Sequence, residues 1–576
     1  MSITYNIYNK IRLFPEWHVS DSPLFFVLIC AFMIGFIYTL NIFDWGFISG
    51  MGRYWDYLQL YDVDRAIALI GWRYFAHDEW RFPLFFVPML GYPEGTNIIF
   101  TDSIPFIAAI FKLVFKMTGW EFNYFGFWMF LCYILQGMSV ALLLYSLGVR
   151  FWLANLCGVL IALCAPILIL RYGHGALSGH FIIIVSLWTY FILVKNPDRR
   201  WAWCVLLAVL ALSVLITAYF FVMVAAILMA TVFELLHRKQ LSFHIAGAIF
   251  ITACLLIIGV MFLAGLIGRG AVSPVGGFFG YYSMNMIAPF FGYEDSYMQR
   301  LFGPVIIDAT GGQYEGFNYL GFGTILLACL VLFLKGKDVL QSIWSHPMLT
   351  MVLIGLSIFS FSNKVYFGNT EILHYPLPNI LMEIGHSFRS SGRMFWPLYY
   401  VVMCGFIAHV WRHFWPYAAL IILMMVATVQ YIESESLRSS IAALSTKVND
   451  PQFLDEDSVK LINQASKLFF VPSFYCTKDD PEWPRPSSWR GVTQEIMQFA
   501  SYRAIPSNSI AFNRGKKDCL SENQSLSKEK LEIGTLYILR RQSELSSLEH
   551  FQNSENCIIK EPAILCAEFI PGFSRK

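Results

Sequence analysis

The chain of 576 residues is 57% apolar and 17% aromatic but only 14% charged, with a mean hydropathy of +0.55, whereas a soluble domain carries about a quarter charged residues. That composition excludes an ordinary soluble enzyme, and a formal net charge of +2 excludes the concentrated basic face that nucleic acid requires. Charge is also uneven: residues 433–576 hold 37 of the 80 Asp, Glu, Lys and Arg side chains, so the chain reads as a membrane body, residues 1–432, followed by a polar tail domain, residues 433–576.

In chain order, the apolar run at 23–43 is long enough to cross a bilayer and lacks a small-residue cleavage site, so it predicts a retained first span. Further runs at 122–147, 151–170, 181–194, 201–217, 219–236, 245–267, 319–334, 348–361, 394–410 and 417–432 bring the expectation to about eleven transmembrane helices. With a cytoplasmic N-terminus, every inner loop is basic, from Lys10 and Arg12 through Arg150, Lys195, Arg199 and Arg200, Arg238 and Lys239, Lys335 and Lys337, to Arg412. This is the positive-inside pattern. An odd number of spans then places the tail outside, where disulfides are allowed among Cys476, Cys519, Cys557 and Cys566, and four cysteines permit three pairings. The other eight cysteines lie in apolar runs as small hydrophobes, without metal-ligand spacing.

The long connections fall on the outer side, at 44–121, 269–318 and 362–393, where loops on a rigid scaffold carry function. Channels and transporters place polar groups at mid-membrane, whereas these spans carry almost no ionisable residues. In the first outer loop Asp62 and Asp64 form a D-x-D before an apolar-periodic segment. A carboxylate there can accept a proton or bind a divalent cation, although D-x-D alone supplies too few ligands to decide on a metal. The same pattern also reads as a helix N-cap. Asp102-Ser103 before Ile104-Pro105 is a ready helix start, and Lys112 and Lys116 share one face of a helix lying along the outer leaflet.

The later loops hold further candidates. The turn RYGHGALSGH contains Arg171, His174 and His180; as a pair the histidines read as structural, with His180 and Arg171 offered as donor or acceptor contacts. Arg269 opens a Gly- and aromatic-rich loop as a phosphate candidate. In QYEGFNYLGFG, Tyr314, Glu315 and Asn318 can hold a sugar by stacking and hydrogen bonds, although Glu315 also reads as a first-turn helix charge. In FRSSGRMFWP, Arg389 and Arg393 are four apart and share a face if the next helix begins early. There they can clamp a lipid phosphate or snorkel at the interface. The tail alternates apolar segments (LFFVPSF, GTLYILRR, AILCAEFI) with helical patterns, which predicts a small α/β domain.

The D-x7-W pattern from Asp64 to Trp72, then PEGTNIIFTDSIP, QYEGFNYLGFG and FRSSGRMFWP in that order, over most of residues 24–432, resembles a bacterial group within the GT-C superfamily of membrane glycosyltransferases. The resemblance implies a GT-C-like helical body with a periplasmic α/β tail in a bacterial inner membrane. It also implies a polyprenyl-phosphate-linked sugar donor, a glycan acceptor, and a first-loop carboxylate as catalytic base. Asp64 matches that position best, with Asp62 second. The sequence departs from the group after G-W, where Ala76 follows Tyr74-Phe75 and the nearest arginine is Arg73. The expected activity is inverting transfer of a hexose or pentose to an envelope glycan such as lipopolysaccharide O-antigen. A polyprenyl-linked glycan flippase and a non-catalytic envelope assembly protein are the alternatives.

Overall fold

The structure, a computed structural model, describes residues 20–567 apart from 57, 59–62, 268–277, 295, 304–307, 449, 478–487, 511–518, 520–531 and 541–556. Asp62 and Arg269 therefore lie outside the described residues. Each of the eleven apolar runs carries a helix. Among the described residues six helices are long and apolar enough to cross a membrane by themselves: Phe125–Ser146, Gly175–Lys195, Ala218–His237, Phe243–Ala264, Ser391–His413 and Pro416–Glu433. A seventh candidate is the pair Trp152–Leu163 and Pro166–Gly173, bent by 49°, where Pro166 supplies no N–H to continue the first helix. Leu24–Leu40, Arg200–Val214 and Pro347–Phe361 are shorter apolar helices, and Phe322–Trp344 breaks its helical geometry at Lys335.

The segment between the first two apolar helices folds onto one end of the bundle. Val63–His77 is a helix whose residues from Arg65 to Ala76 are all buried, so it is an internal strut rather than a surface helix. The helix Pro105–Thr118 starts differently from the Asp102-Ser103 expectation. Its N-cap is Ile104, with no side-chain cap bond, and Asp102 instead closes the preceding turn Ile98–Thr101 in the left-handed region. Ser103 is used elsewhere: its hydroxyl donates to the Ala68 carbonyl at 2.8 Å, tying this helix to Val63–His77. Lys112 and Lys116 also part company. Lys116 is exposed, whereas Lys112 is buried over the rings of Phe75 and Trp80 and donates to the Glu79 carbonyl at 3.1 Å. Burial pulls its ammonium down to about 8.

The tail carries a four-stranded sheet. Lys467–Val471 runs parallel to Thr535–Arg540, which pairs antiparallel with Ala563–Cys566, and the latter pairs with Cys557–Lys560 at the edge. Successive side chains face opposite sides of a strand. Leu468, Phe470, Leu536, Ile538 and Leu565 join the core that is continuous with the body, while Val471, Tyr537, Leu539, Ile564 and Cys566 form a second cluster on the other face. Both faces being covered explains why these strands read as unbroken apolar runs. Disulfides join Cys476 to Cys519 and Cys557 to Cys566, the second across directly paired strand positions.

The tail is fastened to the first loop through the helix Trp489–Ser501. Gln498 accepts from the Leu58 amide at 3.0 Å and donates to the Leu58 carbonyl at 2.7 Å. The guanidinium of Arg73 stacks 3.5 Å from the Tyr502 ring centre and pairs with Glu121 at 3.4 Å. Arg73 is therefore a clamp between body and tail.

Candidate active site

Three short turns meet at the end of the bundle nearest the first loop. The chain from Leu170 to Ser178 makes two successive 3-10 turns with His174 at their junction. Arg171 lies in the first turn and His174 caps it, and both reach toward the same neighbour. That neighbour is Glu315, in the 3-10 turn Gln313–Gly316. The third turn, Ser391–Phe395, carries Arg393. Gly316 and Gly392 let the second and third turns touch, and Asn318 fastens them by donating to the Gly316 and Gly392 carbonyls, both at 2.9 Å. Asn318 is thus a structural staple of the site rather than a group presented to a sugar.

The result is a buried carboxylate held by two guanidinium groups. Arg171 Nη1 donates to Glu315 Oε2 at 2.9 Å, and Arg393 reaches the same oxygen through Nη2 at 2.8 Å and Nε at 3.2 Å. All three side chains are less than 10% exposed. Burial works to raise the Glu315 carboxyl, but Arg393, Arg171 and His174 outweigh it and hold the group well below the usual carboxylate range. Arg171 Nε remains buried without a hydrogen-bond partner, so this guanidinium has not spent its whole donor capacity on Glu315.

His174 links this cluster to the first loop. Its Nδ1 is 3.2 Å from Asp64 Oδ2, and its Nε2 is 3.5 Å from Glu315 Oε1. Asp64 lies in the first turn of Val63–His77, where a carboxylate complements the positive helix end, yet its side chain is turned to the imidazole. Asp64, Arg65, Asp102 and His174 line a cleft of about 10 Å³, room for roughly one water. Arg65 is buried against the face of Tyr172, 3.5 Å from its ring centre, and bonds the Tyr54 hydroxyl and the Tyr172 carbonyl.

On the other side of His174 opens a cavity of about 350 Å³. Its polar lining is Arg171, His174, Tyr293, Asp308, Gln313, Tyr314 and Glu315, and its apolar wall includes Leu170, Phe291 and Phe317. Asp308 accepts from the Gln313 amide at 2.9 Å. Tyr314 is 60% exposed at the rim; partial burial, Tyr282 and Glu315 push its phenol up to about 12. A concave, largely apolar chamber with a few convergent polar groups is the usual form of a small-ligand site.

The sequence candidates are therefore sorted by the fold. Arg171, Arg393, Glu315 and Tyr314 come together, Asp64 joins them through His174, and Asp102 lines the small cleft, its charge acting on Arg393. Arg389 and Arg393 do not share a helix face. The helix begins at Trp396, Ser390 is non-helical, and Arg389 stands half-buried 5.7 Å from the Tyr282 ring centre, with no ion pair among the described residues. His180 is wholly buried at the head of the helix Phe181–Lys195, with Nδ1 2.8 Å from the Tyr400 hydroxyl and its ring against Trp396. It packs the bundle and faces neither cavity. Sequence reading took His174 as one of a structural histidine pair and passed over Asp308 and Gln313; the three-residue spacing of Arg171 and His174 in RYGHG was the available signal for His174. Among the described residues no group of three or more His, Cys, Asp or Glu side chains is placed to hold a metal ion.

The apolar helices and the ion-paired chamber at one end of them define a multi-pass membrane protein with a polar ligand site sunk among apolar residues. The profile of the family described as Domain of unknown function (DUF6311) matches residues 32–435, and that of the DUF6311 C-terminal domain matches residues 459–568. The chain belongs to this family. No curated protein matches it. Solved structures similar to it include the Archaeoglobus fulgidus oligosaccharyltransferase tethered to an acceptor peptide containing the NVT sequon. That match has 11% identity and a TM-score of 0.42, over 92% of this chain and 67% of that one. Another is the archaeal oligosaccharyltransferase AglB from the same organism in complex with an inhibitory peptide and a dolichol-phosphate, with 13% identity and a TM-score of 0.44, over 90% of this chain and 69% of that one.

Proposed function

We propose that the protein is an inverting glycosyltransferase that moves a hexose or pentose from a polyprenyl-phosphate carrier to an envelope glycan, such as lipopolysaccharide O-antigen. In this reading it works on the outer face of a bacterial inner membrane, with its N-terminus cytoplasmic and its tail domain periplasmic. The observation that carries the reading is the pairing of opposite chemistries around His174, which lines both cavities: Asp64 on the side of the small cleft, and Arg171 beside an apolar wall in the larger chamber. Glycosyl transfer needs both, a proton acceptor for the attacking hydroxyl and positive charge for the departing phosphate. Asp64 supplies the carboxylate beside His174. Arg171, through its unspent Nε, and Arg389, without an ion pair among the described residues, are available to phosphate oxygens, while Arg393 holds Glu315 in place. Arg269 is a further phosphate candidate from the sequence. Tyr314, Glu315, Asp308 and Gln313 line the space where a sugar ring would sit. The first-loop D-x7-W and the ordered motifs that resemble GT-C enzymes support the same assignment.

The test is mass spectrometry of envelope polysaccharide from a deletion strain complemented with the wild type or with Asp64→Asn at matched membrane levels. A hexose- or pentose-sized increment present only with the wild type is the expected result. Identical glycans from both strains would replace catalysis by a flippase or scaffold role.

A further inference from the structure

Asp64, the carboxylate that sequence resemblance selects as the base, does not line the 350 Å³ cavity; it lines the one-water cleft behind it. His174 lines both. Five groups on the cavity wall besides Arg171 could in principle exchange a proton: His174, Tyr293, Asp308, Tyr314 and Glu315. Tyr293 donates its phenolic proton to the Glu433 carbonyl. Glu315 is held ionised by two guanidinium groups, and such a carboxylate is a weak proton acceptor. Tyr314, pushed up to about 12, keeps its phenolic proton at neutral pH. Asp308 accepts from the amide of Gln313 and does not line the cleft that holds Asp64.

The geometry points to His174 Nε2 as the atom that takes the acceptor's proton, with Asp64 as the positioning carboxylate behind it. This assignment rests on the glycosyl-transfer reading above. The Nδ1 to Oδ2 separation of 3.2 Å places the Nδ1 proton toward Asp64, which orients the ring and leaves the Nε2 lone pair toward the chamber. At 3.5 Å from Glu315 Oε1, Nε2 is beyond a good hydrogen bond and is not tied down by it. The His174 side chain is 27% exposed, so a hydroxyl can reach it. In the step, the acceptor O–H bond breaks and its proton passes to Nε2. The oxygen's electron pair bonds to the anomeric carbon, the bond from that carbon to the phosphate oxygen breaks, and its pair leaves on the phosphate. Positive charge gained by the imidazole faces Asp64 on one side and Glu315 on the other. The proton then returns to water entering the cavity.

The experiment uses the full chain in membranes of the deletion strain, with the envelope-glycan mass increment as the activity readout and native mass spectrometry with undecaprenyl phosphate as the binding readout. His174→Gly is expected to lower the increment by about 100-fold or more while binding undecaprenyl phosphate as the wild type does, as removal of a general base does. Imidazole added to the His174→Gly strain is expected to restore about tenfold of that loss, and to do nothing for Asp64→Asn; a purely structural histidine would not respond in this way. If His174→Gly fails to reach the membrane, His174→Gln carries the test, with the same loss of about 100-fold expected at wild-type membrane levels. Retention of activity within about threefold of wild type in either variant, or a loss in His174→Gly that imidazole leaves untouched, overturns the assignment and returns the base to Asp64 or Asp308. A wild type that adds no increment over the deletion strain overturns the glycosyl-transfer reading itself, a result separate from any effect of His174.

Discussion

Gly316 and Gly392 belong to turns that press together so closely that a β-carbon on Gly392 would stand 2.4 Å from the Gly316 Cα. Each is the immediate neighbour of a charged site residue, Glu315 on one turn and Arg393 on the other, so the glycine contact sets the distance of the ion pair. Gly392→Ala must push backbone against backbone, and overpacking of this kind costs about 1–3 kcal/mol. The expected outcome is a lowered Tm together with loss of the glycan increment larger than the stability change accounts for, because the arginine is displaced from Glu315. Wild-type Tm and activity in Gly392→Ala would show that the two turns can separate without consequence.

Glu315 ties acid stability to the site. Its carboxyl sits below its ordinary value when folded, so it contributes stability that is fully present above the unfolded value of about 4.3. That contribution is lost as pH falls through the depressed folded value. Glu315→Gln leaves Arg171 and Arg393 buried without their counter-charge, a change that costs about 3–5 kcal/mol. Thermal unfolding in detergent between neutral and acid pH should show a large gap between wild type and Glu315→Gln at neutral pH, narrowing on acidification below the unfolded value. A gap that does not change with pH would mean that the carboxylate charge is not what holds the arginines.

The tail clamp is open to the same treatment. Gln498 satisfies the Leu58 amide and is one of two side chains serving the Leu58 carbonyl, the other being Gln494 at 3.3 Å. Gln498→Ala leaves a buried amide unsatisfied at a cost of about 1–3 kcal/mol. Because Leu58 leads into the Asp64 helix, the variant should both lower Tm and speed release of the tail fragment by limited trypsin digestion of membranes. Wild-type digestion kinetics would place the strength of the docking elsewhere, at the Arg73 and Tyr502 stack.

How much of this protein was legible in advance follows from the range of each interaction. Long apolar runs are a local property of the chain, and in each of the eleven runs the backbone satisfies its own hydrogen bonds as helix. Apolar segments likewise announced the strands Lys467–Val471, Thr535–Arg540 and Ala563–Cys566, which are largely buried, but not the exposed edge strand Cys557–Lys560. The charged residues Arg171, Glu315 and Arg393 could be singled out one by one, because ionisable side chains beside apolar runs are costly and need a reason.

What only the tertiary structure decided is which of them meet. Arg171 and Glu315 are 144 residues apart, Glu315 and Arg393 are 78 apart, and no local periodicity encodes such a convergence. The expectation for Arg389 and Arg393 failed for a local reason that only packing reveals: close contact of the glycine turns replaces the first helical turn with a 3-10 turn and sends the two side chains to different partners. His180 and His174 exchanged importance on the same ground. The apolar interior took in His180 beside Trp396, while the double turn at Gly173 and Gly175 set His174 between the two carboxylates. Sequence determined the elements and the inventory of charges; the burial of those charges, which makes a lone one too costly and a matched set stable, decided the site.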